Sequence, residues 1–280
     1  MTIGVAALCT IQGIPGWSVV AFSDRKLTLD GMEYEPVQGK RWDFPPRAIA
    51  LLAGNMDAQF AICETTTATL KARGRLPSVK EVAEAYADAV LGFRRQATDR
   101  VVLGKYGLTR DEVLGATTDM SAMFREIQDY QVDAAAIIAG ADSTGGHLYA
   151  VYEPGEIVNC EARGFIAVGT GERHSHMRLQ SVAYTAGQSA NEAIFLAYSA
   201  KRRAESAPHV GAATDGVFVT QAGIMPIPGE LMAELAKHYN RSIYQENKTF
   251  RKSLKELEGF YASLAKELAM QQAIGKQSNG

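Results

Sequence analysis

Two stretches of this chain, Arg47-Ala48-Ile49-Ala50-Leu51-Leu52-Ala53 and residues 132–140, are apolar almost without interruption, and that continuity constrains the fold more than any other feature. A strand with one face in water alternates polar and apolar side chains, whereas a strand that is apolar at successive positions has to be covered on both faces. The neighbouring sequence supplies covers. From Met56 the apolar period lengthens through Phe60, Cys63 and Leu70, predicting a helix that Gly74 ends. Ser78 with Glu81 three residues later opens a second helix, whose stripe includes Val82, Tyr86, Val90 and Phe93.

Elsewhere residues 2–9 and 17–22 read as an opening hairpin around a Gly/Pro turn at 10–16. A third helical segment runs from Thr109 toward Tyr130. Strands are expected at 132–140, 148–152 and 164–168, helices at 173–185 and 189–205, and a last strand at 215–220, with Ser189 and Glu192 capping the second of those helices. Strands, two helices, strands, two helices and a strand predict an α+β protein of two sheets packed face to face with helix pairs outside. Strict strand–helix alternation is missing, which disfavours a doubly wound nucleotide-binding fold, and Gly169-Thr170-Gly171 lacks the Lys-Ser/Thr continuation of a phosphate loop. Beyond about Pro228 the chain turns polar and helix-favouring. There Phe250, Leu254, Leu257, Tyr261, Leu264 and Leu268 recur at alternating four- and three-residue steps, either a heptad seam or one face of an amphipathic helix lying back on its own domain. The expected organisation is a domain over 1–225 and a helical extension over 226–280.

With 29 basic and 31 acidic residues, the net charge of −2 offers no field for a phosphate backbone, so nucleic acid is not an expected partner. No apolar run approaches the roughly 20 residues that span a bilayer, and no secretory signal pattern opens the chain, so a cytoplasmic protein without a membrane partner is expected. Cys9, Cys63 and Cys160 form no Cys-x-x-Cys pair and read as buried thiols. His174 and His176 are close in sequence but point to different sides of a helix, which argues against a metal site.

Four residues carry chemistry as a set: Thr2, Asp24, Lys40 and Gly54. Removal of Met1 leaves Thr2 with a hydroxyl nucleophile and a free α-amine, whose pKa of about 7.7–8.0 suits it to take the hydroxyl proton. A lysine amine at about 10.4 is better fitted to electrostatic work, so Lys40 favours the developing alkoxide while Asp24 orients the ammonium. Gly54, at a strand-to-helix junction and without a side chain, suits an oxyanion donor. Each residue alone has a bland reading, as an ordinary second residue, a surface charge or a turn glycine. If Met1 stays in place, Thr2 points to the opposite strand face and no nucleophile remains.

At these residues the chain resembles the proteasome β-subunit family of N-terminal threonine hydrolases, over roughly residues 2–221. Thr2-Ile3-Gly4-Val5-Ala6-Ala7-Leu8-Cys9 looks like the mature leading strand, with Val5 and Cys9 also on the family's pattern. Asp24 and Thr28 fall on its acid and a substrate-binding threonine. The steps of 16 from Asp24 to Lys40 and 14 from Lys40 to Gly54 match those between the family's acid, lysine and oxyanion glycine. Gly169-Thr170-Gly171 is similar to its Gly-Ser-Gly turn, so the resemblance implies that Thr170 assists near the α-amine. It also implies a first specificity pocket walled by Leu27, Leu52 and Met56. The family's later supporting acid and serine have Glu205 and Ser206 as nearest equivalents, although Pro208, His209 and Val210 interrupt the match. The spacing from Thr2 to Asp24 exceeds the family's, and the long extension has no counterpart in a typical β subunit, so the smaller bacterial proteasome homologues are the nearer likeness.

The resemblance implies a four-layer αββα sandwich of the N-terminal-nucleophile hydrolase type with an added C-terminal helix. It also implies a threonine-type endopeptidase acting on peptides or unfolded proteins, with self-association into rings, a possible unfoldase partner and no cofactor. A non-catalytic ring or scaffold subunit and a small-molecule amidase of the same class are the alternatives.

Overall fold

The structure, a computed structural model, describes residues 3–29, 32–35, 39–114 and 120–277, with backbone alone at 28–29, 32, 34 and 268–277. The chain opens with the antiparallel hairpin β1 (Gly4–Ile11) and β2 (Ile14–Asp24), followed by the short ribbon β3 (Leu27–Leu29) and β4 (Met32–Tyr34). Next come β5 (Arg41–Phe44), β6 (Ala48–Gly54), and the helices α1 (Met56–Ala72) and α2 (Val79–Thr98). Two shorter helices, α3 (Arg110–Leu114) and α4 (Ser121–Asp129), precede β7 (Ala134–Asp142), β8 (Gly145–Tyr152), β9 (Glu156–Asn159) and β10 (Phe165–Val168). The helices α5 (Glu172–Ser181) and α6 (Ala190–Ala204) lead to β11 (Thr214–Thr220), β12 (Gly223–Pro226) and the long α7 (Gly229–Gln277). The chain divides into two compact units, 1–228 and 229–280. The first is a mixed α+β unit, and the second is helical.

Two five-stranded antiparallel sheets, ordered β10-β1-β2-β11-β12 and β5-β6-β7-β8-β9, form the first unit. Their facing side chains make one apolar layer, in which Ala6, Leu8, Val19 and Ala21 of one sheet meet Ile49, Leu51, Ile137 and Leu148 of the other. The opposite face of β6 and β7 is covered by α1 and α2, where Leu52, Ala136 and Ile138 pack with Ile62, Cys63, Val82, Tyr86 and Val90. Helices α5 and α6 lie against β10, β1 and β2, with Ala193, Ala197, Ala200 and Ala204 on the buried side of α6. Both faces of β6 and β7 are therefore filled, as their unbroken apolar character requires.

Three expectations change. The turn placed at 10–16 shrinks to Gln12-Gly13, with β1 running on to Ile11 and β2 beginning at Ile14. Strand β11 pairs with β2 only between Val19 and Asp24, so Pro15 sits where one side of β2 has no ladder and its missing N–H leaves no bond unmade. The helix expected from Thr109 toward Tyr130 is interrupted, with only α3 and α4 helical there and 115–119 outside the described residues. Strands β5, β9 and β12 were not expected from the sequence. All three are sheet edges of four residues each.

Candidate active site

Strand β2 ends on Asp24, whose carboxylate is completely buried. One oxygen, Oδ1, accepts the Ile3 N–H at 3.1 Å and the Lys40 ammonium at 3.1 Å, and Oδ2 accepts the Gly211 N–H at 2.9 Å. The Lys40 ammonium also reaches Oδ2, at 3.3 Å. The Ile3 carbonyl in turn accepts the Asp24 N–H at 3.1 Å, so the residue grips the leading strand by backbone and side chain alike. One carboxylate thus joins three segments distant in sequence. A buried carboxylate survives desolvation only with such partners, and here they are a cation and two backbone donors.

Lys40 is 1% exposed. Its carbonyl accepts the Leu52 N–H at 2.8 Å, which fastens residue 40 to β6. Burial pushes its pKa below the usual lysine value, Asp24 opposes that, and the cations of Lys201 and Lys26 add to the lowering. An ammonium held by Asp24 yet shifted downward is a better proton donor than a solvated one.

Gly54 closes β6 one residue before the Asn55 cap of α1, whose side chain accepts the Asp57 and Ala58 N–H groups. Its φ is +94°, and a Cβ there would stand 1.8 Å from the Asp133 carbonyl oxygen, so no other residue fits. The Leu52 N–H points toward Lys40, and strand alternation turns the Gly54 N–H to the same edge. Just behind it, the Gln59 amide donates to the carbonyls of Ala53 at 2.7 Å and Ala135 at 2.9 Å and accepts the Tyr86 hydroxyl. The junction is held rigidly.

Lys201 on α6 is the site residue that sequence reasoning missed. It is fully buried, and its ammonium donates to Glu205 at 2.8 Å, to the carbonyls of Gly211 at 2.9 Å and Ala212 at 3.1 Å, and to the Thr214 hydroxyl at 2.6 Å. Gly211 therefore gives its N–H to Asp24 and its carbonyl to Lys201, coupling the two charges through one residue. A Cβ on Gly211 would come within 2.6 Å of the Lys26 Cβ. Burial lowers the Lys201 pKa, opposed by Glu205 and Asp24. A signal existed: Lys201 follows Ala193 and Ala197 at four-residue steps, the phase of the buried stripe.

The remaining expected residues divide. Thr2 lies outside the described residues, as does the side chain of Thr28, whose backbone falls in β3. Leu52 is 1% exposed and belongs to the core between β6 and the helices, with Met56 packed on that same cluster. Leu27 is half-buried in β3. Thr170 is exposed in the turn after β10, whose Val168 pairs with Gly4 of the leading strand. Glu205 reaches the site only through Lys201, and Ser206 bonds the Arg203 carbonyl at 2.8 Å and approaches His174. His174 and His176 diverge, since the His176 ring accepts the Ala167 N–H of β10. Among the described residues, no cluster of three or more His, Cys, Asp and Glu is arranged to hold a metal, and no helix is long and apolar enough to cross a membrane.

No family model matches the chain, and no curated protein matches it. What the arrangement can do chemically follows from its parts: a buried carboxylate and two buried ammonium groups set a fixed field at Ile3, in front of the leading strand. A cavity of about 570 Å³ lined by Arg47, Arg75, Ser78, Asp142 and His147 is separate from these groups.

Proposed function

We propose that the chain is an N-terminal-nucleophile hydrolase, a threonine-type peptidase or amidase built on a four-layer αββα sandwich with an added C-terminal helix. The observation that carries this reading is the Asp24 carboxylate, which accepts at one oxygen both the Lys40 ammonium and the N–H of the amide joining Ile3 to residue 2. A charged pair at that amide has an evident use if residue 2 is the nucleophile. The shared spacing of Asp24, Lys40 and Gly54 with the proteasome β-subunit family supports the same conclusion.

In this mechanism Met1 is removed and the α-amine of Thr2 takes the hydroxyl proton as the oxygen bonds to the substrate carbonyl carbon. The Lys40 ammonium stabilises the oxygen as it loses its proton, and the Gly54 N–H stabilises the tetrahedral oxyanion. The protonated amine then gives its proton to the departing nitrogen, the C–N bond breaks, and an ester on Thr2 remains. Water, deprotonated by the same amine, attacks the ester, releases the acid and restores the hydroxyl. Leu27 and Met56 favour an apolar side chain before the scissile bond, with Thr28 binding the substrate backbone, whereas Leu52 is enclosed in the core and walls no pocket. A homo-oligomeric cage would keep such a site from folded proteins, with substrate delivered by an unfoldase.

Thr2→Ala is expected to abolish peptide hydrolysis while leaving the fold intact, and Lys40→Ala to abolish it as well at a cost of about 3–5 kcal/mol in stability, because the buried Asp24 carboxylate loses its cation. An electrophilic peptide that captures hydroxyl nucleophiles should leave a single adduct on Thr2 by mass spectrometry, and turnover persisting in homogeneous Thr2→Ala protein would overturn the reading. One observation favours a second reading, a non-catalytic subunit of the same fold: Ser206 turns to Arg203 and His174, and Glu205 is engaged by Lys201 and Arg202. An intact Met1 in the assembled protein, seen by N-terminal sequencing, would favour that alternative.

A further inference from the structure

Helix α7 is 49 residues long, about 70 Å at 1.5 Å per residue. Along its second half large apolar side chains stand in water: Phe250 is 62% exposed, Leu257 51% and Tyr261 64%. A lone helix gains nothing from such a display, since each exposed apolar group is stabilised by burial. These residues follow a heptad register, with Phe250, Leu257 and Leu264 at d and Asn247, Leu254 and Tyr261 at a. The opposite face carries Lys248, Lys252, Lys255 and Glu256, with Lys252 and Glu256 paired at 3.8 Å along the helix. Polarity is therefore segregated around the axis, as in one strand of a coiled coil.

We infer that this segment of α7 pairs with the same segment of a second copy of the chain as a parallel, in-register, two-stranded coiled coil. Three features select that occupant and that orientation. Leucine at two of the three d positions with a polar asparagine at one a position is the pattern that fixes two strands and a single register. In the parallel arrangement Glu246, at g, faces Arg251 at the next e position of the partner, so opposite charges meet on both flanks of the seam. One heptad later Ser253 at g meets Glu258 at e, and two heptads later Phe260 at g meets Ala265 at e, which extends the apolar strip where no charges are paired. The surface is its own complement, as an interface about a two-fold axis demands. The inference does not rest on the proposed hydrolysis.

Disulfide trapping in the full-length protein tests it. The three native cysteines are buried and give little background. Phe250→Cys and Leu264→Cys, made separately, are each expected to form a covalent dimer under mild oxidation. The two positions lie about 21 Å apart along the helix, so an antiparallel pair could align at most one of them with itself. Gly259→Cys, on the outer face where a side chain meets nothing within 4 Å, should not cross-link. Adding Leu257→Glu to Phe250→Cys should abolish the covalent dimer, with unchanged tryptophan fluorescence showing that the first unit remains folded. Failure of either d-position variant to cross-link, equal cross-linking at Gly259→Cys, or persistence of the dimer with Leu257→Glu overturns the inference.

Discussion

Asp24 shows how much depends on single side chains, because its one carboxylate collects Ile3, Lys40 and Gly211. Lys201 is its counterpart on the other side of Gly211. Lys201→Met takes the ammonium from the Gly211 carbonyl and the Thr214 hydroxyl and leaves Glu205 with Arg202 alone, and is expected to lower stability by about 2–3 kcal/mol in denaturant unfolding. Gly54→Ala drives a Cβ into the Asp133 carbonyl at a φ of +94°, and should cost about 3 kcal/mol or more by the same measurement. His176 supplies a pH dependence. Burial, then the Arg163 charge, holds its pKa below the usual value, and its ring accepts the Ala167 N–H only when neutral. The unfolded chain therefore takes up the proton first as pH falls, so stability declines below about pH 6.5 and levels once the lower native pKa is passed. His176→Gln should lose that slope in unfolding titrations run downward from pH 7.

At the scale of elements, the local signals and the paired ones behave differently. The capping boxes at Ser78/Glu81 and Ser189/Glu192 were legible because they need only an N-cap hydroxyl and a carboxylate three residues later, and both form. Ser78→Ala is expected to destabilise the protein by about 1 kcal/mol, measured as a shift in denaturation midpoint at constant slope. Strands β6 and β7 were legible as well, since cover on both faces writes itself into the side chains. The edges β5, β9 and β12 were not. A short edge strand takes its identity from the neighbour it pairs with, and its exposed positions need no apolar pattern, as the largely exposed Glu156–Asn159 illustrates.

On the scale of the whole molecule, the chain divides into two compact units, 1–228 and 229–280. Both tryptophans, Trp17 and Trp42, lie in the first unit, and the Trp42 indole donates to Thr67 of α1 at 3.3 Å. A chain ending at residue 244 should keep the native tryptophan emission and its cooperative unfolding while losing self-association through the heptad seam, which fluorescence and sedimentation velocity together would report. Loss of the native emission in that truncated chain would show that the first unit does not hold its fold without the rest of α7.

The sequence by itself determined the α+β class, the capped helix starts and the doubly covered strands, and it showed the amphipathic stripe of the C-terminal helix. Each is written in side-chain period or in contacts a few residues apart, whereas the steps from Asp24 to Lys40 and Gly54 carry meaning only through the family likeness. Only the tertiary structure decided that Asp24 reaches Ile3 and Gly211 at once, and that Lys201 is a buried charge rather than a solvated one. A lysine on an alanine-rich stripe becomes a site residue only when a loop ten residues later folds its carbonyls around the ammonium, because an unpaired buried charge would not be tolerated.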